Sequence, residues 1–335
     1  MNLSLEQIQT ITQGAVTVEA NEDGFRFHRF TKEQQEVYNN FPLCRFTAGI
    51  KLVFKTDSTH LCVKGHSTRE DARVAYFLDC FDFFVNGEMI CSVDNCADIE
   101  LPPDLTEFYL PEINFSKEFE LTKGDKVIEI HLPYASIGVI EEISIDDGAS
   151  LVPIKPSKKL LAFGDSITHG SMARHPSDRY TAKLANALDA EEINKGIGGD
   201  CFFPAIASTP DSFTPNYITV AYGTNDWYSN TRTEFRKNCK DFFLKLHASY
   251  PNTMIFAISP IWRSDTHVEK QFGDFSLIFE DIKELVSDIE NVIYIDGMDL
   301  IPHNTELFGD LSVHPNSAGF EYYYNNLYDE LKKYL

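Results

Sequence analysis

KLLAFGDSITHG, residues 159–170, opens as an apolar run of the kind a buried strand requires and breaks on the polar turn Gly164-Asp165-Ser166. The one obvious nucleophile there is a serine hydroxyl. Further short apolar runs follow: YITVAY (217–222), TMIFAIS (253–259) and VIYID (292–296). They alternate with helical spacing, in which Phe235, Cys239, Phe242 and Leu246 share one face and Phe320, Tyr324, Leu327 and Leu331 another. Alternating strand and helix predicts βαβ units around a parallel sheet covered on both faces. Such sheets carry their chemistry at the carboxyl ends of the strands.

Upstream the period changes. GIKLVFK (49–55) alternates Ile50, Leu52 and Phe54, and KVIEIHL (126–132) alternates Ile128, Ile130 and Leu132, the signature of strands with one buried face. Asn86-Gly87 between apolar runs predicts a two-residue hairpin, and LTKGDKV (121–127) a second. This half reads as a β-sandwich, in the manner of a jelly roll. The Gly-, Pro-, Ser- and Lys-rich stretch DDGASLVPIKPSKK (146–159) marks the boundary, giving an N-terminal β-sandwich over 1–150 and an α/β domain over 151–335. Two domains also suit 335 residues, because single cores stop growing at this length.

Composition narrows the function classes. With 43% hydrophobic and 24% charged residues and no apolar run of the ~20 residues a bilayer span needs, no membrane partner is expected. A net charge of -22 without a basic cluster repels a phosphate backbone and disfavours nucleic acid. The opening MNLSLEQIQTITQGA reads as a short polar helix rather than a secretory signal. Seven cysteines, an odd number without CxxC spacing, fit reduced thiols, so the expected compartment is the cytoplasm.

Four polar islands fall at strand ends or before the last helix: Ser166; the glycine turn KGIGGD (195–200); Asn225 in GTND (223–226); and His314 in GDLSVHPNSAG (309–319). A serine hydroxyl needs a base to become a nucleophile, and an imidazole suits that task near neutrality. Backbone N–H groups of Ser166 and Gly199 and the Asn225 amide are candidate oxyanion donors. Taken singly each has a plain reading: Ser166 as a helix cap, Gly198 and Gly199 as turn formers, Asn225 as a turn residue, His314 as an exposed residue before a Pro-Asn helix start. Their co-occurrence in one order favours chemistry.

Taken together, FGDSITHG (163–170), NKGIGGD (194–200), YGTNDW (222–227) and VHPNSAGF (313–320) resemble the four blocks of the SGNH, or GDSL, hydrolase family, over residues 160–335. The resemblance implies a flavodoxin-like α/β/α sandwich, Ser166 as nucleophile, His314 as catalytic base and an oxyanion hole of Ser166, Gly199 and Asn225. It implies no cofactor and no metal. A preceding β-sandwich resembles the arrangement in certain carbohydrate esterases, so the expected substrate is a small-molecule or oligosaccharide ester, most simply an acetylated sugar. One departure stands out: the family's acid lies three residues before the histidine, where this chain has Leu311, with Asp310 four before. Either a one-residue bulge brings Asp310 to His314, or a Ser-His dyad leans on a backbone carbonyl.

Other polar residues carry weaker expectations. Asp165 is expected to order the nucleophile turn. Trp262 and Arg263 either border the cleft or are a packed Trp beside a surface Arg; Arg174 and His175 line a pocket or face solvent. Tyr322, Tyr323 and Tyr324 pack the last helix. Competing readings are a short-chain thioesterase or general esterase, a non-enzymatic carbohydrate binder, and a two-metal phosphoesterase disfavoured by the absence of a DxH sequence before the GD turn. An α/β-hydrolase lacks its GxSxG elbow here. Glycan binding or homo-oligomer formation through the β-sandwich stays open.

Overall fold

The computed structural model describes residues 1–70, 77–96, 99–100 and 109–335, and the chain divides into two compact units. The first comprises Met1–Thr31, Phe41–Pro156 and Arg174–Ser177; the second Lys32–Asn40, Ser157–Ala173 and Asp178–Leu335.

In the first unit, helix α1 (Leu5–Ile11) starts on a capping box between Ser4 and Gln7 and turns Ile8 and Ile11 inward. Its strands are β1 (Thr12–Gln13), β2 (Thr17–Asn21), β3 (Gly24–His28), β4 (Lys51–Thr56), β5 (His60–Thr68), β6 (Cys80–Val85), β7 (Glu88–Asp94), β8 (Asn114–Glu120), β9 (Lys126–His131), β10 (Ile137–Ile145) and β11 (Val152–Pro153). They form two antiparallel sheets, β1-β4-β9-β6-β7 with β11 beside β4, and β2-β3-β10-β5-β8. The period-two side chains meet in one core: Leu52, Phe54, Phe83 and Ile130 from one sheet, Phe27, Val63, Phe115 and Ile143 from the other. The Asn86-Gly87 hairpin joins β6 to β7 with both residues at positive φ, as its turn type demands. LTKGDKV departs from expectation. It turns the chain at Gly124 but makes no hairpin, since β8 pairs with β5 and β9 with β4 and β6, in the other sheet.

The second unit is built on five parallel strands, β12 (Lys158–Gly164), β13 (Ala190–Asn194), β14 (Tyr217–Ala221), β15 (Met254–Ile258) and β16 (Val292–Ile295), in the order β13-β12-β14-β15-β16. That is the flavodoxin-like order, with its switch point between β12 and β14. Nearly continuous burial along β12, β13 and β15 shows that both faces are covered, giving the α/β/α layering. Its helices are α2 (Lys32–Val37), α3 (Ser166–His169), α4 (Tyr180–Ala187), α5 (Pro204–Ala207), α6 (Thr224–Ser229), α7 (Arg232–Ser249), α8 (Ser276–Val286) and α9 (Ser317–Leu331). The predicted face of α7 is buried throughout. In α9 the inward position is Tyr323 rather than Tyr324; Tyr323 stacks on Tyr180 at 4.2 Å, while Tyr322 is exposed and Tyr324 lies against Tyr328.

The segment carrying α2 belongs to this unit through polar bonds as well as packing. Gln34 Nε2 donates to the Thr209 carbonyl (2.9 Å), and the fully buried Lys195 ammonium donates to Gln34 Oε1 (2.8 Å) and Asp211 (2.9 Å). A buried ammonium is tolerable only with such acceptors around it. All seven cysteines are free thiols, and among the described residues no helix is long and apolar enough to cross a membrane.

Candidate active site

The Gly164-Asp165-Ser166 turn is shaped by a close approach. A methyl group on Gly164, the last residue of β12, would lie 2.1 Å from Thr168 Oγ1 and 2.8 Å from the Ala221 carbonyl, so only glycine lets α3 start this near the sheet. Asp165 then caps α3, its Oδ1 accepting from Ile167 N–H at 2.9 Å, the expected ordering role. Ser166 is the first helical residue, so its N–H has no intrahelical acceptor. Thr168 anchors the helix from behind, its Oγ1 2.7 Å from the buried Tyr180 hydroxyl.

The glycine turn follows β13, β12's neighbour. Asn194 ties the two together: Nδ2 donates to the Thr168 carbonyl (2.7 Å) and Oδ1 accepts from Gly196 N–H (2.8 Å). Ile197 N–H donates back to the Gly164 carbonyl, and the turn ends on Gly199, exposed and at φ +81. No acceptor takes its N–H among the described residues. On the other side of β12, α6 begins beyond β14, and Asn225 Nδ2 donates to the Asp200 carbonyl at 2.9 Å. The second and third islands are therefore bonded to each other, with one Asn225 N–H left to give.

His314 precedes α9, which Asn316 caps through Gly319 N–H. Ser166 Oγ and His314 Nε2 lie 2.8 Å apart, and His314 Nδ1 is 2.6 Å from Asp310 Oδ2. With Nδ1–H donating to the carboxylate, Nε2 is the acceptor for the serine hydroxyl. Asp310 Oδ1 meanwhile collects the N–H groups of Ser312 (2.9 Å), Val313 (2.8 Å) and His314 (3.1 Å). Burial alone would raise this carboxyl; the bonds from His314 and from the Val313 and His314 amides outweigh it and hold Asp310 well below the usual carboxylate range.

The extra residue before His314 is absorbed at Leu311, which sits at φ +56 with its side chain 63% exposed. A non-glycine residue in that region carries strain of about 1–2 kcal/mol, less for asparagine, which visits it readily. Leu311→Asn is therefore expected to stabilise the chain by about 0.5–1 kcal/mol with little change in activity. A urea midpoint equal to or below that of the wild type would contradict the strain.

Two buried carboxyls, Asp165 and Asp226, and the half-buried Asp200 belong to these loops. Burial pushes Asp165 up to about 6 against the opposing Ile167 N–H, and pushes Asp200 and Asp226 each up to about 7, Asp200 despite the Tyr38 hydroxyl at 2.8 Å and Asp226 despite Asn230. A raised carboxyl binds its proton more tightly folded than unfolded. Its stabilisation is complete below the ordinary value of 3.8 and is lost as pH rises through 6 to 7. Asp310 works in the opposite sense and loses its contribution only in strong acid. The expected result is a Tm lower at pH 8 than at pH 5, since a carboxyl raised by one pH unit contributes about 1.4 kcal/mol, with a flatter profile for Asp226→Asn. Equal slopes for the two proteins would exclude Asp226 as a source.

Arg263 is not a surface residue. It is buried, paired with Asp265 (2.5 Å), 5.2 Å from the Trp227 ring and donating to the Thr224 carbonyl. Trp262 stacks on His303 and meets Phe308, at the base of the His314 loop. Arg174 pairs with Asp94 (2.5 Å) and His175 faces Asp82, and both side chains stay partly open to solvent. Sequence reasoning passed over Asn194, Tyr38 and Asp200. The first and last lie inside the quoted NKGIGGD block, whereas nothing near Tyr38 signals its partner 162 residues on.

No curated protein matches the sequence. Among solved structures, the salicylyl-acyltransferase SsfX3 from a tetracycline biosynthetic pathway shares the fold at 21% identity and TM-score 0.78, over 96% of this chain and 94% of that one. A Bacteroides ovatus ATCC 8483 protein described as a GDSL-like lipase does so at 18% and 0.75, over 99% and 97%. A family two carbohydrate esterase from Clostridium thermocellum, solved with cellohexaose, follows at 16% and 0.65, over 96% and 98%. The profile of the GDSL-like Lipase/Acylhydrolase family matches residues 162–322, the stretch that holds all four islands. Over this domain the chain is similar to the GDSL-like lipase/acylhydrolase family, and the likeness is that of an esterase.

Proposed function

We propose that the chain is a serine esterase that removes short acyl groups, acetyl foremost, from a carbohydrate. His314 Nε2 takes the Ser166 proton as Oγ attacks the ester carbonyl. The N–H groups of Ser166 and Gly199 and the Asn225 amide receive the oxyanion. The sugar hydroxyl leaves with the proton held on His314, and water, deprotonated by the same imidazole, releases the acid and restores the serine. Asp310 keeps Nδ1 protonated and balances the imidazolium. The observation that carries this reading is the Ser166–His314–Asp310 relay at 2.8 and 2.6 Å.

Support for a sugar ester is the likeness in fold to family two carbohydrate esterases, and free thiols suit a reducing compartment such as the cytoplasm. The test is a series of p-nitrophenyl esters from acetyl to octanoyl, with acetylated xylose and glucose derivatives. Turnover is expected to fall as the acyl chain lengthens. A preference for octanoyl would remove the short-acyl assignment, and failure of Ser166 to label with a fluorophosphonate would point to a carbohydrate binder. A second reading, acyl transfer to an acceptor alcohol, is favoured by the likeness to SsfX3. It is read from the same reactions as ester product formed at the expense of free acid when a sugar alcohol is added.

A further inference from the structure

Away from the serine, the first unit gathers three donor atoms of different kinds. Cys80 and Asp82 are two apart on β6 and therefore project to the same side of the strand. His175, in the segment Arg174–Ser177 of the same unit, brings Nδ1 to 3.8 Å from Cys80 Sγ and to 3.1 and 3.2 Å from the two Asp82 oxygens. One ligand atom from each residue falls within 4.8 Å of the others. Cys80 and Asp82 are fully buried, and the imidazole is a quarter exposed, which leaves a way in from solvent.

The Asp82 carboxylate is poorly served by these neighbours alone. A buried carboxylate offers about four lone-pair sites and is ordinarily met by several N–H or O–H donors. Asp79, three residues earlier, shows the usual arrangement: it accepts from Tyr134 N–H, Ala135 N–H and the Ser136 hydroxyl. Asp82 has no backbone amide among its partners in the described residues. One imidazole nitrogen sits almost equidistant from both its oxygens, a forked contact in which a single ring nitrogen serves the whole carboxylate. Ser92, the register partner of Asp82 on β7, adds a buried hydroxyl beside the Cys80 thiol.

We infer that Cys80, Asp82 and His175 bind a borderline-soft divalent cation of the zinc type, which holds the segment Arg174–Ser177 on β6. Tetrahedral zinc with bonds of about 2.3 Å to sulfur, 2.0–2.1 Å to imidazole and 2.0–2.2 Å to carboxylate separates its ligands by about 3.3–3.6 Å. Two of the three separations, 3.8 Å for Cys80 to His175 and 3.1 Å for His175 to Asp82, need shifts of only a few tenths of an ångström to match, and the third, Cys80 to Asp82, lies within 4.8 Å. The fourth position falls to water or to Ser92. Thiolate and imidazole select against calcium and magnesium, which take oxygen ligands. Binding is balanced by one proton: the thiol S–H bond breaks, the sulfur lone pair goes to the metal, and the proton goes to solvent. The cation–thiolate–carboxylate set is then neutral. The ion has no part in the serine chemistry.

The test is a titration of the tag-free, full-length protein, first stripped with chelator, with cobalt(II) as a spectroscopic stand-in. One cobalt per chain is expected, with a near-ultraviolet thiolate-to-cobalt charge-transfer band that zinc abolishes by displacement. Cys80→Ser should lose the band. His175→Gln, a change at a partly exposed position that leaves β6 intact, should weaken binding at least about tenfold and serves if the cysteine variant does not fold. Absence of a band at millimolar cobalt, or a band that persists unchanged in the His175→Gln protein, overturns the assignment and leaves His175 and Asp82 as a simple ion pair.

Discussion

Replacing Ser166 by alanine is expected to lower kcat/KM on p-nitrophenyl acetate by about 10^4- to 10^6-fold, the range in which removal of a serine nucleophile falls when its oxyanion donors remain. The variant should otherwise be the same molecule. Ser166 Oγ bonds to His314, but α3 is capped by Asp165, and Thr168, Tyr180 and Asn194 hold the helix on the sheet. Its Tm should stay within a degree or two of wild type, so that lost turnover reports on chemistry and not on folding. KM on an acetylated sugar should change little, because the hydroxyl binds the transition state and not the ground state. Equal hydrolysis by both proteins would end the serine mechanism.

The second large effect is assigned to Asp310→Asn. The asparagine Oδ1 can still accept from Ser312, Val313 and His314 N–H, so the loop should keep its shape. Its Nδ2, however, is a donor placed where Oδ2 now accepts from Nδ1 at 2.6 Å. To meet it, imidazole must move its proton to Nε2, and Nε2 then has no lone pair for the Ser166 proton. A loss of about 10^4 in kcat is expected, as for triads in which the acid fixes the tautomer. Asp310→Ala differs in kind, since it also strips the acceptor from three amides and should lower stability. Near-full activity in Asp310→Asn would instead establish a Ser-His dyad.

The parts of this molecule that were legible in advance are those with a local cause. A strand that ends on Gly-Asp-Ser, a stripe at helical spacing and an Asn-Gly turn each state their geometry within a few residues, and β12, α7 and the β6–β7 hairpin formed as read. The Asp310–His314 contact also has a local cause, the left-handed turn at Leu311 that lets an acid four residues back reach the imidazole, but the sequence left a backbone carbonyl open as the alternative partner. What stayed hidden depends on choice between distant partners. Gly124 announces a reversal, but nothing in LTKGDKV says that the strand after it joins another sheet. Tyr323 displaced Tyr324 from the buried face because Tyr180 offers it a ring to stack on, and helical spacing alone admits both. Half-buried polar pairs such as Tyr38 with Asp200 have no periodicity at all.

That last kind of bond governs how the protein can be dissected. A fragment starting at Ser157, where a chain reader would naturally cut to obtain the hydrolase alone, omits the nine residues Lys32–Asn40 that fold with it. It would strip one acceptor from the Lys195 ammonium in the interior and remove the tyrosine hydroxyl from Asp200, the residue whose carbonyl receives the Asn225 amide. Proteolytic trimming or recombinant splitting at the visible boundary should therefore yield an insoluble half, whereas a version that grafts the 32–40 peptide back onto the front returns the Gln34 acceptor to that interior charge.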